Sequence, residues 1–138
     1  MRIKLTYLFI LISLLSCSKD NIDRIPDVYV SYKITLQEFN IKSTNGLLLV
    51  NNQANTGVAG LIIYKRADGA FVAYDRCSSV NPQKRCAVVP DDPNLTATDP
   101  CSGAKFSLFD GSPVKAPAER SLKQYRVIIT NFDLMVVN

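Results

Sequence analysis

The apolar residues of this chain come in runs of strand length, and nearly every run ends on a turn residue. Val28, Val30, Tyr32, Ile34 and Leu36 alternate with Tyr29, Ser31, Lys33 and Thr35, the period of two that gives a strand one buried face. Leu47–Val50 is a second short run, closed by the Asn- and Gly-rich stretch Asn51–Gly57, which reads as a turn. Gly60–Arg66 and Ala70–Asp75 flank Asp68-Gly69, and Asp-Gly between two apolar runs is a hairpin signal. Further on, Ala104–Phe109 leads into Asp110-Gly111, and Tyr125–Thr130 and Leu134–Val137 flank Asn131-Phe132-Asp133. No window of about 11 residues shows helical periodicity, and seven prolines and six glycines punctuate the chain at strand-like intervals. The sequence therefore predicts an all-β fold, a small barrel or sandwich.

The first 16 residues follow a different rule. Arg2 and Lys4 form a short positive region ahead of the apolar run Leu5–Leu15. That run is shorter than the roughly 20 residues a spanning helix needs, and a charged start followed by a short apolar stretch and small residues describes a cleaved signal. Leu14-Leu15-Ser16-Cys17 also resembles the bacterial lipobox, whose cysteine is lipidated and becomes the first mature residue. Residues 1–16 are thus expected to be a lipoprotein signal peptide, with Cys17 as the lipidation site and the membrane as partner through that lipid. The alternative is an ordinary secretory signal with Cys17 an incidental thiol. Residues 17–27 read as a polar tether without apolar periodicity, and residues 28–138 as one β domain. Removing 16 residues from 138 leaves 122, a size that suits one core rather than two. The address is the cell envelope, lipid-anchored on its periplasmic or surface face; Asp20, soon after Cys17, only faintly resembles an export signal for surface display.

Charge and composition exclude several functions. The formal charge of +4 falls to +2 once Arg2 and Lys4 leave, with 14 basic residues facing 12 acidic. The basic residues stand singly or in pairs, such as Lys65-Arg66 and Lys84-Arg85, without the clustered stripe that phosphate binding favours, so nucleic acid is not an expected partner. The chain contains no histidine, which removes Ser-His-Asp and Cys-His nucleophiles, imidazole bases and His-ligated zinc. It carries no GxGxxG, no P-loop and no CxxC, and nothing marks it as an enzyme.

One segment breaks the strand rhythm. Cys77–Gly103 holds three of the four cysteines, four prolines and almost no alternation, except at Ala87-Val88-Val89; long loops on a rigid scaffold are where function concentrates. Within it, Asn94-Leu95-Thr96 matches the glycosylation acceptor pattern but reads as a turn in a bacterial lipoprotein.

From about Gly60 to Val137 the chain resembles a Rieske domain, the β fold that holds a two-iron, two-sulfur cluster between two loops. The approach GLIIYKRADGAFVAYDRC matches the family's hairpin, and the tail matches in Phe106, Leu108, Phe109, Asp110, Gly111, then Pro117-Ala118, Leu122 and Tyr125, with Ala116 where the family has glycine. In that family Cys-x-His on the first loop and Cys-Pro-x-His-Gly on the second supply the ligands. The resemblance implies two loops at one end of the domain, around residues 77–86 and 99–103. It places Cys77 at the first cysteine position, Ser79 at the first histidine, Asp99 at the second cysteine and Ser102 at the second histidine. A Rieske cluster needs two thiolates on one iron and two imidazoles on the other. These positions are therefore expected to be degenerate, with neither the cluster nor any other cofactor or metal, and the family's electron transfer does not carry over.

The resemblance also implies a disulfide. Some Rieske proteins tie the two loops together through a cysteine at the place of Cys101, and Cys86 fits the partner position although it stands a few residues late. Cys86–Cys101 is the expected pair; closing a 15-residue separation stabilises by about 3 kcal/mol in the loop-entropy model. Cys77–Cys101 is the rival pairing. With Cys86 and Cys101 joined, Cys77 is either a buried relic packed as a small apolar side chain or a reactive thiol. A different arrangement would gather Cys77, Cys86, Cys101 and Asp99 around zinc, which accepts such ligands. Two classes of function follow. One is a membrane-anchored, non-redox structural or binding module with an unidentified envelope protein as partner. The alternative is a redox or electron-transfer protein that uses an unconventional metal site or thiol chemistry.

Overall fold

The computed structural model describes residues 24–138; Cys17 and the signal peptide expected over residues 1–16 lie outside them. Ten strands form two antiparallel sheets. The larger has the order β1 (Ser31–Thr35), β10 (Asp133–Val137), β9 (Gln124–Ile129), β4 (Phe71–Asp75), β3 (Leu61–Lys65) and β2 (Leu47–Val50). The smaller has the order β5 (Val89–Pro90), β6 (Thr96–Thr98), β7 (Lys105–Ser107) and β8 (Pro113–Lys115). The first and last strands pair, Ser31 opposite Val137 and Thr35 opposite Asp133, and the six-stranded sheet curls into a half-barrel.

Alternation along the strands builds two cores. In β3, Leu61 and Ile63 join one cluster with Val30, Ile34, Ala73, Leu134 and Val136, while Ile62 joins another with Tyr74, Val88, Phe106 and Leu108. Successive side chains of a strand point to opposite faces, so a strand covered on both sides must be apolar throughout. That is why Leu61-Ile62-Ile63 is a continuous run, all three residues fully buried. At β1, where one face meets solvent, the pattern reverts to the expected alternation: Ile34 and, just ahead of the strand, Val30 are buried, and Ser31 and Lys33 are not.

The stretch without a readable helical period nevertheless forms the short helix α1 (Leu36–Lys42). Its signal is local. Thr35 caps the helix by accepting from the Glu38 amide at 3.1 Å, and Glu38 Oε2 accepts in return from the Thr35 amide at 3.4 Å, the reciprocal capping box. Only Phe39 is buried on α1, edge-on to Phe71 with ring centroids 5.1 Å apart. Leu36, read as the last residue of the first strand, is instead the first of this helix. Among the described residues no helix is long and apolar enough to cross a membrane.

Two further differences bear on the site. The segment read as loop, apart from Ala87-Val88-Val89, contains β5 and β6, which extend the smaller sheet towards the second loop. The last three residues of the expected tether are docked on the domain. Ile25 packs against Val58, Ala59 and Cys77, and Lys123 Nζ bonds the Pro26 carbonyl at 2.9 Å and pairs with Asp27.

Candidate functional site

The first loop leaves β4 at Asp75 and doubles back on itself. The Ser78 amide donates to the Cys86 carbonyl and the Val88 amide to the Arg76 carbonyl, each within 2.8 Å, and Cys77 bridges Ala87. A 3-10 turn at Pro82–Lys84 closes the tip between Asn81 and Arg85, both left-handed. The second loop is tighter. The Asp99 amide donates to the Ala104 carbonyl and the Gly103 amide to the Asp99 carbonyl, both at 2.8 Å.

Where the loops meet, Cys86 and Cys101 form a disulfide with Cα atoms 6.3 Å apart. Among the described residues Cys77 is the free thiol, and it is buried. Beside the disulfide lies Asp99, fully buried. Its Oδ2 accepts from Ser78 Oγ at 2.7 Å and Ser102 Oγ at 2.6 Å, and its Oδ1 from the Cys101 amide at 2.8 Å. One carboxylate therefore ties the first loop to the second in parallel with the disulfide. This knot adds a polar crosslink to the covalent one.

The other two positions singled out from the sequence stand apart from that knot. Cys77 Sγ lies 3.5 Å from the Pro82 carbonyl and 3.7 Å from that of Ser78. Burial, reinforced by the negative charges of Asp75 and Asp99 and opposed by Arg85, pushes its thiol up to about 12. A thiol held neutral in this way is a poor nucleophile and a poor ligand. Ser79 donates from Oγ to the Arg120 carbonyl at 2.6 Å and not to Asp99. Among the described residues, Cys86, Asp99 and Cys101 bring their donor atoms within 4.8 Å of one another. Cys77 is not part of that group, so the four-ligand zinc arrangement does not form.

A second buried carboxylate supports the first loop from behind. Asp75, at the end of β4, accepts from the Val58 amide at 2.6 Å, the Ala59 amide at 3.1 Å, the Cys77 amide at 2.8 Å and Tyr125 Oη at 2.8 Å. Burial and this bond to Asp75 raise the Tyr125 hydroxyl well above its ordinary range. Gly57 is required by the same arrangement: its φ is +84°, and a Cβ there would stand 2.5 Å from Asp75 Oδ2. Sequence reasoning passed over Asp75 and Ser78. The signal for Asp75 was present, since the period of two puts it on the face of Ala73, which is wholly buried; an acid on a buried strand face needs several donors.

No protein-family model matches the chain, and no curated protein matches it in sequence. Solved structures do match in fold. The plasma-membrane Rieske protein PetC3 of the cyanobacterium Synechocystis PCC 6803 aligns over 80% of this chain and 98% of its own, at 23% identity and a TM-score of 0.54. A structure of the oxygenase–ferredoxin complex of carbazole 1,9a-dioxygenase aligns over 78% of this chain and 93% of its own, at 19% identity and 0.53. The ferredoxin of carbazole 1,9a-dioxygenase from Nocardioides aromaticivorans IC177 aligns over 78% and 96%, at 14% identity and 0.50. The fold is Rieske-like, as the resemblance of the sequence implied.

Proposed function

We propose that this chain is a lipid-anchored module of the bacterial envelope in which a Rieske-like fold has given up its iron–sulfur site and serves as a non-redox structural or binding element. The carrying observation is what occupies the four positions that the resemblance assigns to cluster ligands. Asp99 is committed to three hydrogen bonds, Ser102 to Asp99, Ser79 to Arg120, and Cys77 is buried as a neutral thiol. Imidazole ligands are absent from the composition, and a two-iron cluster of Rieske type requires two of them. These residues do not fit that group.

What remains is a crosslinked loop pair on a rigid sheet. The disulfide and the Asp99 knot hold the loops together in a way that needs no cofactor, and disulfides persist in the compartment to which a lipoprotein signal leads. The anchor rests on Leu14-Leu15-Ser16-Cys17. Growth with a clickable fatty acid tests it: the full chain takes up label and partitions with envelope membranes, and Cys17→Ala takes up none. Label on the Cys17→Ala chain, or none on the unsubstituted one, overturns the anchored reading.

A further inference from the structure

We propose that the loop crosslink is exchangeable for a metal crosslink: once Cys86–Cys101 is reduced, Cys86, Cys101 and Asp99 form a site for one soft divalent cation of the zinc class. This goes beyond the non-redox module, because it gives the loop junction a second state.

The geometry supplies three ligands of the right type. The donor atoms of Cys86, Asp99 and Cys101 already lie within 4.8 Å of one another. Two sulfurs bound to tetrahedral zinc at about 2.3 Å each stand about 3.8 Å apart. The Cα separation of 6.3 Å lets the freed sulfurs open to that spacing by side-chain rotation.

Asp99 is held as a metal-ligating carboxylate is held. Of its four lone-pair positions, three accept from Ser78, Ser102 and the Cys101 amide, which leaves one on Oδ1. Hydrogen-bonded support of this kind orients ligating carboxylates. Asp99 is also fully buried and forms no ion pair among the described residues, so a cation beside it would supply the missing countercharge. Cys101 is exposed, which leaves the disulfide open to attack by a reductant.

The chemistry balances with a dithiol as reductant. The dithiol passes two electrons and two protons to the disulfide; the protein S–S bond breaks, two S–H bonds form, and the reductant closes its own disulfide. The cation then displaces both thiol protons to solvent. Two metal–sulfur bonds and one metal–oxygen bond form, and water fills the fourth position.

The test titrates the full chain carrying Cys17→Ala with Zn²⁺, before and after reduction by excess dithiol and its anaerobic removal. The reduced chain is expected to bind one zinc and the oxidised chain none at the same free concentration. Co²⁺ in its place gives thiolate charge-transfer absorption. Cys77→Ala binds unchanged, and Asp99→Asn weakens binding at least about tenfold. Equal zinc in both redox states, a Co²⁺ complex without thiolate bands, or full affinity in Asp99→Asn overturns the proposal. So does a reduced chain that unfolds and is not refolded by Zn²⁺. Should Asp99→Asn itself fail to fold, the stoichiometry and the Co²⁺ spectrum of the chain with Asp99 intact decide.

Discussion

Asp75-Arg76-Cys77 and Asp99-Pro100-Cys101 use the same local device and put it to different ends. In each, the aspartate Oδ1 accepts from the cysteine amide two residues on, at 2.8 Å, the turn-forming bond that suits Asp in loops. In each the carboxylate is fully buried. Asp75 spends its remaining capacity on the scaffold: two amides of the 51–60 loop and the hydroxyl of Tyr125 from β9. Asp99 spends its capacity across the gap, on Ser78 and Ser102. The first fixes where the loop begins, and the second fixes how the two loops meet. Cys77, after the scaffold aspartate, is sealed in; Cys101, after the junction aspartate, is exposed and crosslinked.

The sharpest way to break this comparison is to remove each carboxylate in turn. Asp75→Ala orphans three amides and a buried hydroxyl, and costs about 4 kcal/mol, given roughly 1–3 kcal/mol for each buried donor left without a partner and incomplete additivity. Asp99→Ala costs about 2 kcal/mol, because two of its donors are hydroxyls that can turn to other acceptors and the disulfide still holds the loops. Urea unfolding midpoints measure both; equal costs, or the reverse order, would remove the distinction between scaffold and junction. Between these two in size stands the disulfide. The Cys86→Ser, Cys101→Ser double variant is expected to lose about 3 kcal/mol on the loop-entropy model, between the two aspartate effects, while its β4–β9 pairing stays protected in hydrogen exchange. Loss of protection throughout the large sheet would mean that the junction, not Asp75, organises the fold.

The smallest effect is at Cys77. Its thiol is raised from 9.0 to about 12, so it stays neutral in the folded chain while the unfolded chain ionises above pH 9. The unfolded state then binds fewer protons, and stability falls as pH rises between those values. Below pH 9 the contribution is fully present. Tyr74, raised from 10.0 to about 12, acts in the same direction one step later. Cys77→Ala should therefore flatten the decline between pH 9 and 10 in particular. An unchanged slope there, or alkylation of Cys77 in the native chain at pH 8, would contradict its sealed environment.

Most of the large sheet was legible because its signals are local. Asp68-Gly69 marks the β3–β4 turn, where the Arg66 amide meets the Ala70 carbonyl, and alternation marks β1. The helix was missed because seven residues are too few to show a period of 3.6, although Thr35 and Glu38 spelled out its cap. Strands β5 and β6 hold two and three residues among prolines, too short for alternation to register. At the site, the Cys86–Cys101 pairing came through family resemblance and not through any local pattern. Ser79 was placed at the first histidine position and Ser78 was overlooked, yet it is Ser78 Oγ that bonds Asp99, while Ser79 Oγ bonds the Arg120 carbonyl. Motif alignment gives the neighbourhood, and only the folded backbone says which serine enters it.

The central claim, a Rieske-like fold whose junction is closed by Asp99 and a disulfide in place of a cluster, meets its most direct test in the electron paramagnetic resonance spectrum of the dithionite-reduced protein. The sample should be purified anaerobically from a host that assembles iron–sulfur clusters, with iron and sulfide assayed on the same material. The account predicts no iron–sulfur signal and iron far below one atom per chain. A two-iron spectrum of Rieske type, with about two irons and two sulfides per chain, would contradict it.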